Sequence, residues 1–204
     1  MATADPGHRL ERLVFFSDAV FAIAITLLVL DIHAPDLPRT ASDAAWRHAL
    51  VSLVPNAMAF LLSFLVVAVL WITHHRLFSF VAHFQRRLLW PNLLLLLAVA
   101  FLPFASALLS RSTASTVPSA IYCCVLLFAA MMKTWLTITA LKPDLLAHHV
   151  SSRTILVERR RSWLMPAACL LALVATLFAS SANNMWALLV MPVALRLPWF
   201  RLSD

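Results

Sequence analysis

Asp18 follows Ser17 inside residues 12–31, RLVFFSDAVFAIAITLLVLD, an apolar run long enough to enter a bilayer. An ionisable group at that depth costs about 2.5–3.5 kcal/mol on insertion scales, so it needs a partner or a purpose. A carboxylate there can accept hydrogen bonds, hold a cation or relay a proton. Counted along helices, Asp18 lies about two turns past the start of the first apolar run. His74 and His75 end the second run on the same side, and Asn92 begins the third there. A carboxylate held by His, Asn, Ser17 or Arg12 stays charged without facing lipid. The residue types alone leave two roles open, a structural network and a direct proton or ion site.

Other chemistries are poorly served. Adjacent histidines on a helix point about 100° apart, and neither the pair His74 and His75 nor the pair His148 and His149 has a Cys-rich or His-x3-His companion. No metal site is expected. Ser17 beside Asp18 lacks a nucleophile elbow and a GxSxG motif, so no enzyme and no cofactor are expected. Cys123, Cys124 and Cys169 fall within apolar runs and read as packing residues. Gly7 is the only glycine, which removes a TVGYG carbonyl filter, GxxxG packing and phosphate-cradling loops. Any selectivity must come from side chains.

The rest of the first run carries a stripe. At 100° per residue from Ile23, Leu27 falls at about +40°, Leu30 at about −20°, Thr26 at about −60°, Ala19 at about −40° and Phe16 at about +20°. Asp18 lies roughly 140° away and Ser17 about 120° away, so stripe and aspartate serve different neighbours. The stripe reads either as ordinary helix packing or as successive apolar rings around an axis, gating by wetting and dewetting.

The elements that position these residues are apolar spans. The chain has 204 residues, 62% hydrophobic and 12% charged. Its apolar residues form six long blocks, near 13–32, 50–72, 88–108, 117–140, 162–181 and 184–200. An all-α polytopic membrane protein with six transmembrane helices per subunit and no re-entrant P-loop is expected, with residues 1–204 as a single transmembrane domain. The longer loops, 33–49, 73–87 and 141–161, are too short to hide a soluble domain. The first run does not resemble a cleavable signal, being long, interrupted by Asp18 and followed by DIHAPDLP.

The net charge of +7 marks topology and not a nucleic-acid partner. With the N-terminus cytoplasmic, twelve basic residues lie inside and only Arg39, Arg47 and Arg111 outside, Lys133 being within a span. Both termini are expected to be cytoplasmic, in a cell membrane. Six of the seven tryptophans, Trp71, Trp90, Trp135, Trp163, Trp186 and Trp199, fall near predicted span ends. Arg159, Arg160 and Arg161 read as a topology determinant that can touch anionic lipid. Pro55, Pro91, Pro118 and Pro166 sit near helix starts, whereas Pro103 and Pro192 are placed to kink spans. The absence of an internal repeat leaves oligomerisation as the route to a symmetric pore.

Three motifs in order then resemble a known family. Arg12-x3-Phe16-Ser17-Asp18 followed by AVFAIAITLLVL is similar to the first-helix signature of the transmembrane protein 175 potassium channels. Trp71-x2-His74-His75, Asn92 and Pro103-Phe104 also resemble its prokaryotic members. The resemblance implies a homotetramer in membrane lipid, with the first helix of each subunit, about 13–32, lining a central pore for potassium ions. It implies that Ile23, Leu27 and Leu30 form the hydrophobic rings and that Thr26 is a polar ring contributing to potassium preference. Arg12, Phe16, Ser17, Asp18, Trp71, His74, His75 and Asn92 would belong to the motifs and the inter-helix network that hold the pore helix. The rival expectations are a proton-coupled secondary transporter, suggested by Asp18 and the histidines, and a non-conducting membrane scaffold.

Overall fold

The structure is a computed structural model that describes residues 6–111, 115–147 and 150–178. Among these residues the regular structure is helical, apart from one isolated bridge between Val81 and Leu146. Helix α1, Pro6–Leu27, tightens into a 3-10 turn at Leu28–Asp31. Then follow α2, Asp43–Ser52, α3, Val54–Phe78, a 3-10 turn at Arg86–Leu88, and α4, Leu89–Arg111. The order ends with α5, Thr116–Ala140, α6, Ser152–Arg161, and α7, Leu164–Phe178. Five stretches are long and apolar enough to cross a membrane: His8–Asp31, Val54–Phe78, Arg86–Arg111, Thr116–Ala140 and Ser152–Phe178. The expected sixth span, 184–200, and His148, His149, Trp186, Pro192 and Trp199 lie outside the described residues.

The second span differs from expectation at its end. Hydropathy stops it near 72, but α3 continues to Phe78 because His74, Leu77 and Phe78 are buried against neighbouring helices. His75 and Arg76 occupy its last turn, where the Arg76 cation complements the negative end of the helix dipole. Trp71 therefore sits about two turns inside the helix and not at its end. Two expected loops also contain helices. Ser42 starts α2 by accepting a hydrogen bond from the Ala45 amide at 3.3 Å, and Ser151 starts α6 by accepting from Thr154 at 3.2 Å. Neither helix has a fully buried residue, so hydropathy alone does not reveal them.

In the bundle, α5 packs between α4 and α7, while α1 rests on α4 and α3. Ala98 and Ala105 of α4 and Ala129 and Ala130 of α5 are all buried, and small side chains let helices approach closely without glycine. α4 runs through Pro103, which cannot donate to the carbonyl of Val99. A buried hydroxyl relay crosses the middle of three helices. Tyr122 of α5 lies 3.0 Å from the Ser63 hydroxyl of α3, Ser63 donates to Ser106 of α4 at 2.9 Å, and Ser106 donates back to the Ala59 carbonyl at 3.4 Å. Every hydroxyl in it finds a partner, as a low-dielectric interior requires.

The basic residues gather at one end, where the segments after α3 and after α5 are tied together. Ala82 donates to Leu145 at 2.8 Å and Ala147 to Phe80 at 3.0 Å. Gln85 donates to Asp144 Oδ2 at 3.3 Å, and Arg87 pairs with the same carboxylate. The Arg87 guanidinium, aided by Gln85, holds the Asp144 carboxyl below its ordinary value of 3.8. A carboxyl lowered on folding stabilises the fold above its ordinary pKa, and that contribution disappears as pH falls through the folded value. Asp144→Asn is therefore expected to lower the thermal midpoint slightly at pH 7. The difference from the parent should shrink as pH is lowered below the ordinary value of 3.8 in detergent melts; a difference independent of pH would remove the pair as its cause.

Candidate functional site: the first helix and its polar anchor

The buried side of α1 carries Leu13, Ser17, Phe21, Ala24 and, in the 3-10 turn, Leu28. Spacings of three and four place these on one helical face. Ser17 is the polar member of that face, and three helices meet on it. His74 Nε2 of α3 lies 2.8 Å from Asn92 Oδ1 of α4, Asn92 Nδ2 donates to Ser17 Oγ at 2.9 Å, and Ser17 donates to its own Leu13 carbonyl at 2.8 Å. All three side chains are fully buried. The direction of the relay follows from donor inventory. The Asn92 amide nitrogen is spent on Ser17, so its oxygen must accept, and His74 must carry its proton on Nε2. Nδ1 of His74 has no partner, a cheaper vacancy for an acceptor than for a donor. Phe21 and Phe78 pack against the imidazole at centroid distances of 5.4 and 4.7 Å.

Asp18 is not held by His, Asn, Ser17 or Arg12, as the sequence led us to expect. One residue on from Ser17, its carboxylate points about 100° away and accepts from Trp71 Nε1 at 2.9 Å. Trp71 in turn lies against His75, ring centroids 5.7 Å apart. The motif residues thus form two adjoining groups: a buried one of Ser17, His74 and Asn92, and an outer one of Asp18, Trp71 and His75. Arg12 and Phe16 are exposed, and Arg12 makes no side-chain hydrogen bond or ion pair among the described residues. The indole is a donor without an acceptor, which suits a carboxylate near membrane depth, and this chemistry was available in the sequence. Trp71 reads as an interface residue only if α3 ends at its hydropathic limit near 72, whereas the helix continues to Phe78.

The opposite face of α1 is uncovered. Ile23 is 59% exposed, Leu27 43% and Leu30 66%, with Phe16, Ala19 and Thr26 also exposed. Thr26 turns its hydroxyl back onto the carbonyls of Ala22 and Ile23, at 3.1 and 2.9 Å, which leaves its oxygen free to accept. The 3-10 turn changes the register of the stripe. At three residues per turn Leu30 moves to nearly the same angle as Leu27, about 60° from its α-helical position. Sequence reasoning also missed the clasp that holds this turn: Ser110 of α4 donates to Asp31 Oδ2 at 2.5 Å, and Arg111 lies 3.7 Å from the same carboxylate. An acid ending the first span and a base ending the third was the available signal.

An all-helical, multi-pass membrane protein with a polar-anchored first helix is the class this arrangement defines. The family model for the endosomal/lysosomal potassium channel TMEM175 matches residues 12–103, which contain α2, α3 and most of α1 and α4. A solved TMEM175 homologue from Chamaesiphon minutus, described as a lysosomal potassium-selective channel homologue, superposes with a TM-score of 0.79 at 30% identity, covering 93% of this chain and 98% of that one. The chain belongs to the TMEM175 family. A potassium channel of Streptomyces collinus is 41% identical over 124 residues, 59% of each chain. The endosomal/lysosomal proton channel TMEM175 of Gallus gallus is 38% identical over 107 residues, 50% of this chain and 21% of that protein. The chain therefore matches little more than half the length of the bacterial relative and a fifth of the avian one.

Removing the middle of the relay should be costly. Asn92→Ala orphans the His74 Nε2 donor and leaves a cavity, which together are expected to destabilise by roughly 2–4 kcal/mol. Arg12→Ala, at an exposed position without a bond, should stay within about 0.5 kcal/mol. Chemical unfolding in detergent compares the two; equal effects would show that the relay does not anchor α1.

Proposed function

We propose that this chain is a potassium-preferring cation channel. The observation that carries the reading is the uncovered stripe of Ile23, Leu27 and Leu30, set on a helix whose other face is anchored by buried polar bonds. A passive conduit needs a wall that water and ions can meet and a scaffold that keeps that wall in place. Four copies arranged with α1 at their common axis turn the stripe into three apolar rings, with Thr26 offering an acceptor oxygen between them. Apolar rings of this kind conduct when they hydrate and block when they dewet. The names of the bacterial relative and of the solved homologue support potassium as the permeant ion. In this reading residues 1–204 act as one transmembrane channel domain of a homotetramer in the cell membrane, both termini cytoplasmic. Asp18 with Trp71, and Ser17 with Asn92 and His74, brace the pore helix and do not meet the ion.

The proton is a second permeant candidate, favoured by the name of the avian relative. A proton-coupled carrier and a silent scaffold are the remaining rivals, and one assay separates them. Purified protein in liposomes should pass potassium faster than sodium down a set gradient, without saturation and without coupling to a proton gradient. Flux no greater than in empty vesicles would sink the channel reading, and saturable, proton-coupled flux would move it to a carrier.

Two variants locate the constriction and the brace. Ile23→Asn should raise conductance and weaken potassium over sodium preference, because a polar ring removes the dewetting barrier. Unchanged permeability in a folded variant would move the constriction to Leu27. Asp18→Asn should lower tetramer yield on size exclusion while leaving ion preference unchanged in the tetramer that forms; a normal yield with altered ion or proton flux would make Asp18 a direct site.

A further inference from the structure

At the basic end of the bundle a cavity of about 30 Å³ opens where α3, α5, α6 and α7 converge. None of the residues lining it belongs to α1, so it is separate from the stripe and its anchor. Its wall holds three cations, Arg76, Lys133 and Arg161, against one carboxylate, Glu158. That carboxylate is already taken: Arg76 binds Glu158 Oε1 at 3.0 Å. Lys133 lies within the Thr116–Ala140 span, with no carboxylate among the described residues within the 4.0 Å of an ion pair. Among the described residues its ammonium makes one hydrogen bond, to Thr137 Oγ1 at 3.1 Å, which engages one of its three donors. Arg161, half-buried at the end of α6, has neither a hydrogen bond nor an ion pair among the described residues.

A cation inside a span pairs with something, because leaving it bare costs several kcal/mol. Here two cations on different helices face one cavity, and the one carboxylate of its wall, Glu158, is bonded to Arg76 and acts on Lys133 only from beyond ion-pair distance among the described residues. We propose that the cavity binds a phosphate group. An ammonium supplies a point charge and a guanidinium supplies a planar fork that matches phosphate oxygens, so Lys133 and Arg161 complement each other around such an anion. The enclosed volume takes about two water-sized groups, enough for phosphate oxygens at the cations while the rest of the ligand stays at the mouth. Met165 gives the cavity an apolar wall beside these charges. The same chemistry serves the headgroup of an anionic phospholipid and free phosphate from solution.

Thermal unfolding of the full chain in neutral detergent distinguishes these sources and tests the site without relying on ion conduction. Phosphatidylglycerol should raise the midpoint, whereas zwitterionic phosphatidylcholine at the same concentration should not. The apparent affinity should fall about tenfold in Lys133→Met and in Arg161→Gln, the worth of one charge-assisted hydrogen bond. Arg86→Gln, at an exposed arginine outside the cavity, should bind like the parent. A rise with inorganic phosphate that shows the same pattern of variants assigns the site to free phosphate as well; a response confined to phosphatidylglycerol assigns it to lipid. No shift with either probe overturns the proposal, as does an equal shift in the parent and both cavity variants. Should Lys133→Met fail to fold, Arg161→Gln carries the comparison alone, since its side chain is half-exposed and bonded to nothing described.

Discussion

A polar group below the surface of a bilayer has no water to turn to, so its hydrogen bonds must be completed by protein. The relay from His74 through Asn92 and Ser17 to the Leu13 carbonyl meets that demand, and the rest of the structure is arranged around it. Each bond is worth little against water, but the alternative to making it is a buried orphan that costs about 1–3 kcal/mol. The cost of rotating α1 is therefore larger than the sum of its contacts suggests. One serine fixes which side of the helix looks inward, and by subtraction which side does not.

That subtraction is what gives the apolar stripe its place. Ile23, Leu27 and Leu30 are unremarkable residues for a membrane helix, and their meaning comes from being left uncovered while Leu13, Phe21, Ala24 and Leu28 are packed. A second fastening acts at the far end of the helix. Asp31 is held by Ser110 and lies near Arg111, so the tightened last turn is tied to α4 just as Ser17 is tied to it through Asn92. Fastened at two levels to the same neighbour, α1 presents its free face as a rigid surface. The hydroxyl relay of Tyr122, Ser63 and Ser106 supports this from behind by joining α3, α4 and α5.

The basic end obeys a different rule. There, charges lie near water, and partly exposed ion pairs contribute modestly. Arg87 with Asp144 ties the segments after α3 and after α5, and Arg76 with Glu158 ties α3 to α6, so both connect parts far apart in the chain. Lys133 and Arg161 stand apart from that pattern, because they share a cavity and neither has an ion pair among the described residues.

Much of the architecture was legible in the chain. Long apolar blocks give the spans that are described, because a helix crossing hydrocarbon must be apolar over about 20 residues whatever surrounds it. The separation of Asp18 from the stripe was legible too, since angles within one helix follow from its period alone. The partner of Asp18 was not, for Trp71 became available only because α3 runs on past its hydropathic end to bury His74, Leu77 and Phe78. Nor were α2 and α6, which begin at serine caps and bury nothing completely. The sequence by itself determined the spans, the lone glycine that denies a backbone filter, and the polar residues needing partners. Only the tertiary structure decided which partners they took, which face of α1 remained bare and which cations came to share a cavity. The physical reason is that periodicity relates residues on one helix, whereas hydrogen bonds and burial between helices depend on how neighbours are rotated and how far each one extends.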